Sequence, residues 1–142
     1  MGLKTFNDTL QANLADLVRP VESHLWVGND LVYLPDFEKS LNPLFIKKVY
    51  THQEIAYCEA FQDKNLHYAS TWAAKEAVYK ALKQFSIQAW GFKKIEILRA
   101  KVGGKPSVNI GNHLAAKHSI SLTISHDGDY VWAIALLEKH DY

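Results

Sequence analysis

Ala69, Ala73, Ala77 and Ala81 recur at every fourth position inside a stretch, 66–84, that is otherwise rich in Lys, Glu and Leu. On a helix this spacing stacks the four methyl groups on one face. Alanine carries the highest helix propensity, and its short side chain lets whatever packs against that face come nearly to backbone contact. A long helix, expected over 66–84 with Asn65 as its cap, is therefore the element around which the rest of the chain must assemble. Trp72, Glu76, Lys80 and Lys83 form a neighbouring stripe, and its mixture of one aromatic and three charges is not a core pattern.

Around that helix the sequence reads as alternating short elements. Residues 5–18 suggest a helix ended by Pro20, and residues 1–20 form an N-terminal extension to a domain spanning 21–142. Residues 24–34 read as a strand broken or bent near Gly28. Pro35 and Pro43 bracket a brief helical or irregular piece. Thr51-His52-Gln53-Glu54 is a capping box that predicts a helix over about 52–60. Residues 94–98 alternate as a strand, Gly103-Gly104-Lys105-Pro106 is a turn, 108–110 pairs next, and 112–118 suggests a short helix. Two clear strands follow, with Asp127-Gly128 as a tight hairpin signal between them. The fold class is α+β: a mostly antiparallel sheet packed against one long helix.

Bulk properties narrow the function. The 142 residues carry a net charge of +1, so no global field draws the chain to nucleic acid or to an acidic membrane. Any anion it binds must be held by local groups. Cys58 is the only cysteine, which excludes an internal disulfide or a thiolate metal cluster; it reads as a small apolar residue on a helix. No stretch has the length of an apolar membrane span, and the N-terminus lacks the apolar core of a signal peptide. A cytoplasmic protein is the expectation.

Three residues stand out chemically. Glu76 and Lys80 lie one helical turn apart, and Asp30 follows Gly28 near the strand's midpoint. Spacing alone leaves two readings open, a solvated ion pair beside a turn aspartate or a site. The wording around them adds more. Trp72-Ala73-Ala74-Lys75-Glu76-Ala77-Val78-Tyr79-Lys80 resembles the W/F-x-x-K-E-A-x-x-K signature of the 4′-phosphopantetheinyl transferases, and Gly28-Asn29-Asp30 resembles their upstream G-x-D. Gly104-Lys105-Pro106 and Ile124-Ser125-His126-Asp127 match later landmarks. Residues 45–80 are similar in wording to the transferase domain that ends fungal fatty acid synthases. The resemblance covers about 24–138.

The resemblance implies transfer of 4′-phosphopantetheine from coenzyme A to a serine of an apo acyl carrier protein, as in holo-[acyl-carrier-protein] synthases, by a homotrimer with coenzyme A between subunits. It implies Asp30 and Glu76 as the pair holding a magnesium ion, which prefers oxygen ligands and takes few protein carboxylates. Lys80 is implied beside a phosphate oxygen. Lys48, Lys105, Pro106, Thr123, Ser125 and His126 are implied contacts of coenzyme A, with His126 near its 3′-phosphate. The general base stays open among Glu76, Asp30 and a metal-bound water. Lys75 faces elsewhere on the helix and is a weaker candidate. The chain departs from the pattern at Thr71, where stand-alone enzymes usually have Arg, and at Lys48, which replaces an Arg and loses its bidentate fork. Asn29 replaces an apolar residue, Val32 stands where a larger branch has a third acid, and no glycine-rich loop follows the helix. These changes motivate a rival reading, a non-catalytic module serving a partner synthase.

Overall fold

The computed structural model describes residues 24–86, 90–100 and 102–140; the expected helix over 5–18 and the extension over 1–20 lie outside them. In chain order the elements are β1 (Leu25–Tyr33), α1 (Leu34–Ser40), α2 (Pro43–Val49), α3 (His52–Glu59), α4 (Lys64–Lys83), a 3-10 turn (Phe92–Lys94), β2 (Glu96–Leu98), β3 (Ser107–Asn109), α5 (Asn112–Ala115), β4 (His118–Asp127) and β5 (Tyr130–Lys139). β1, β5 and β4 form an antiparallel sheet in that order, and β2 and β3 form a separate antiparallel ribbon. The α+β reading holds, with antiparallel pairing throughout.

The alanine stripe does what its spacing implies. Ala69, Ala73, Ala77 and Ala81 are all buried, with 0–1% of their surface exposed, and α4 lies across β1 and β5. The sheet answers with small residues of its own: Ala133 and Ala135 on β5 are fully buried. Opposite Ala135 stands Gly28. A Cβ built on Gly28 would lie 1.9 Å from the Ala77 carbonyl oxygen and 2.7 Å from the Ala81 nitrogen, so only glycine admits the helix this close. This corrects the expectation of a break: β1 keeps unbroken register with β5 from Leu25 to Tyr33, and the glycine marks close packing rather than a bend.

Local signals gave the remaining elements with small shifts. The capping box forms in full, the Thr51 hydroxyl accepting from the Glu54 amide at 3.3 Å and Glu54 Oε1 accepting from the Thr51 amide at 2.8 Å. Helix α4 starts two residues earlier than expected; its N-cap is Asp63, without a side-chain cap bond, and Asn65 sits inside the first turn with its amide on Glu38 at 3.3 Å. The β4–β5 hairpin turns through Gly128-Asp129. Among the described residues only glycines have positive φ, Gly128 with +54°, as a two-residue turn with glycine first requires. No helix among the described residues is long and apolar enough to cross a membrane.

Candidate active site

Along β1 the side chains alternate, so Gly28, Asp30 and Val32 face α4 while Val27, Asn29, Leu31 and Tyr33 face away. Asp30 thus leaves the strand two residues beyond the point of tightest helix contact, where α4 presents Glu76 and Lys80. Lys80 Nζ donates to Asp30 Oδ1 at 2.9 Å and to the Asn29 carbonyl at 3.0 Å. Glu76 makes no hydrogen bond or ion pair among the described residues. Burial raises its pKa above the ordinary carboxylate value and the negative charge of Asp30 adds to the rise, with Lys80 opposing. Asp30, Glu76, Phe45 and Trp72 line an open cleft of about 500 Å³, which Asp36, unremarked in the sequence, also borders.

Two neighbouring carboxylates repel, and a divalent cation between them would remove that cost. Among the described residues no cluster of three or more His, Cys, Asp or Glu side chains forms a metal cage. Magnesium needs fewer, usually one or two carboxylates with water filling the rest of its shell. The pair fits that requirement, because Glu76 has no competing partner and Asp30 commits only one oxygen to Lys80. This is a donor set that can grip a phosphorylated ligand through a cation, with a half-exposed lysine beside it.

Lys75, by contrast, points into the core and is fully buried. Its ammonium donates to both oxygens of Glu54, at 2.7 and 2.9 Å, and to the Ile95 carbonyl at 2.6 Å. Glu54 also accepts from the Ile97 amide at 2.9 Å. The Lys-Glu dipeptide therefore splits: Lys75 ties α3 and Ile95, the residue before β2, to α4, and Glu76 faces the cleft. Cys58 is buried and free, and burial pushes its thiol up to about 11, which suits packing and not nucleophilic attack.

The other sequence-derived residues divide. Pro106, Thr123 and His126 line a second cleft of about 370 Å³ with Tyr57, His67 and Ser70. Lys105 lines an adjoining cleft with Gln53 and Ser107. Ser125 is not among the lining residues; it pairs with Trp132 on the outward face of the sheet. Lys48 is exposed on the last turn of α2 and borders neither the carboxylate cleft nor the second one. The residue missed is Arg99, common with Tyr57 to both of the adjoining clefts. Its guanidinium donates to Thr71 Oγ1 and, at 3.4 Å, to the His67 carbonyl, and lies 4.3 Å from the Tyr57 ring centre. Thr71 is where the resemblance had an arginine; here a guanidinium reaches the same place from another element, a contact no helix motif displays.

The chain belongs to the 4′-phosphopantetheinyl transferase superfamily, whose sequence profile matches residues 26–135. It is 34% identical over 119 residues to the holo-[acyl-carrier-protein] synthase of Clostridium botulinum, an alignment covering 79% of this chain and 95% of that protein. It is also 37% identical over 117 residues to the fatty acid synthase alpha subunit hexA of Dothistroma septosporum, covering 78% of this chain but only 7% of that much longer protein. Among solved structures, an acyl carrier protein synthase–coenzyme A complex from Chronobacterium ammoniagenes matches with a TM-score of 0.69 and 29% identity, covering 82% of this chain and 98% of that one.

Proposed function

We propose that this chain transfers 4′-phosphopantetheine from coenzyme A to a serine of an apo acyl carrier protein. What supports the reading above all is the convergence of Asp30 and Glu76 at one cleft, with Lys80 bonded to Asp30 beside it, in a chain of this superfamily. The serine Oγ bonds to the β-phosphorus of coenzyme A; the bond from that phosphorus to the bridging oxygen breaks, and 3′,5′-adenosine bisphosphate leaves with the electron pair. Asp30 and Glu76 would hold magnesium, which when bound supplies positive charge against the diphosphate oxygens. Lys80 adds a compact charge at the same phosphates. The serine proton passes to a carboxylate of the same cleft, Glu76 or Asp30. Aqueous cytoplasm, where both substrates are soluble, is the setting this reading entails. Incubation with magnesium, coenzyme A and several apo carriers should add one phosphopantetheine mass to at least one carrier by mass spectrometry. No added mass on any of them would favour the non-catalytic module instead.

The assembly belongs to the same proposal. On the face of the sheet away from α4, Val27, Leu31, Tyr33, Tyr130, Trp132 and Leu136 are 38–61% exposed, and they pair across the strands as Val27–Leu136, Leu31–Trp132 and Tyr33–Tyr130. A contiguous apolar face of this kind marks an interaction surface. Packing of three copies through it is the expected arrangement, and light scattering should return three times the 16.1 kDa chain mass. A monomer mass at micromolar concentration would rule that out.

A further inference from the structure

The carboxylate cleft is lined by three acids, Asp30, Asp36 and Glu76, and by no Lys, Arg or His side chain among the described residues. Two of the acids are accounted for: Asp30 accepts from Lys80, and Asp30 and Glu76 together suit a divalent cation. Asp36 stands apart from that pair. The charges that act on Glu76 are those of Asp30 and Lys80, and no group of three metal-ligating side chains forms among the described residues. Asp36 sits in the first turn of α1. Its recorded partner is Lys39, 3.6 Å away, the lysine and aspartate side chains being 79% and 73% exposed. A pair that open is screened by water and contributes little, so the Asp36 carboxylate stays available to whatever enters the cleft.

Under the transfer reading, on which this inference rests, two substrates meet here. Coenzyme A is a polyanion. Its diphosphate is drawn to a cation held by Asp30 and Glu76, while the charge of Asp36 repels it from the α1 side of the mouth. That side is left to the acceptor, whose serine must reach the β-phosphorus with its neighbouring residues following it into the cleft. The same cleft is walled by the Phe45 and Trp72 rings, 5.2 Å apart, which carry no charge to offset Asp36. We infer that Asp36 selects the acceptor by charge: the chain favours a carrier with Lys or Arg beside its acceptor serine and disfavours one with Asp or Glu there. A basic neighbour finds an opposite charge at the mouth. An acidic one meets an uncompensated carboxylate, and like-charge mismatch of this kind rejects wrong partners.

The test uses an apo carrier prepared with Lys, Gln or Glu beside the acceptor serine, assayed with the wild-type chain, Asp36→Asn and Asp36→Lys. On the wild type, kcat/KM at low salt should be about 5- to 20-fold higher for the Lys carrier than for the Glu carrier, mostly through KM, as expected when attraction is replaced by repulsion at an exposed site. In ~0.5 M salt the ratio should shrink toward about twofold. Asp36→Asn should reduce the low-salt ratio to about twofold with kcat on the Gln carrier within about twofold of wild type, and Asp36→Lys should invert the order. Equal rates on the three carriers, or an order that Asp36→Lys leaves unchanged, would overturn the inference and leave the transfer reading intact. Calorimetric binding of the same carriers with the acceptor serine replaced by alanine needs no transfer. A charge order there that depends on Asp36, in a chain that modifies no carrier, would sink the transfer reading and leave this one standing; no charge order there would overturn it.

Discussion

Glu76→Gln is expected to lower kcat by about three orders of magnitude, within the ~10²–10⁴ range for loss of a general base, while raising thermal stability. The first effect follows from removing a carboxylate that is both a candidate cation ligand and a candidate proton acceptor. The second follows from linkage. Burial and the Asp30 charge raise the Glu76 pKa in the folded state, so the folded chain binds this proton more tightly than the unfolded one. The stabilisation is therefore complete below the unfolded pKa and disappears as pH rises through the folded pKa. At neutral pH the ionised carboxylate is a net cost, discounted because the residue is only half-buried. Glutamine removes the charge, and an increase of ~1–3 °C in Tm at pH 7, shrinking toward zero near pH 4, is the expected record. Wild-type turnover, or a Tm gain over wild type that is no larger at neutral pH than at pH 4, would contradict the account.

Lys75→Met should be the most destabilising single change near the site. It leaves the Glu54 carboxylate, 2% exposed, with only the Thr51 and Ile97 amides as donors, and strands the Ile95 carbonyl. Removing one member of a buried pair costs about 3–5 kcal/mol, which corresponds to a Tm lower by ~10–20 °C for a domain of this size. Glu54→Gln combined with Lys75→Met should recover a good part of that loss, because the buried charge is gone while the amide oxygen still accepts. Scanning calorimetry on the four members of the cycle decides it. A single variant within about 1 kcal/mol of wild type would mean that the pair is solvated in solution.

These two neighbours on one helix show how far a motif carries. Their side chains lie about 100° apart around the helix axis, so Lys75 meets α3 and Ile95 while Glu76 meets the cleft. The Lys-Glu dipeptide names both with equal emphasis. Their different jobs are set by what each face of α4 packs against, and that is a matter of topology.

Periodicity, capping and turn chemistry are local, and the sequence alone determined what depends on them: the long helix with its alanine face, the Thr51–Glu54 box, the hairpin at Gly128 and the α+β class. The wording from Gly28 to Asp30 and from Trp72 to Lys80 also brought Asp30, Glu76 and Lys80 to attention as a set. Only the tertiary structure decided why Gly28 is a glycine, and which acid is engaged by Lys80 and which is free. It also brought Arg99 to Thr71 across 28 positions of chain. Contacts of that kind depend on how α4, the sheet and the β2–β3 ribbon are stacked, and no pattern confined to one element encodes the distance between two.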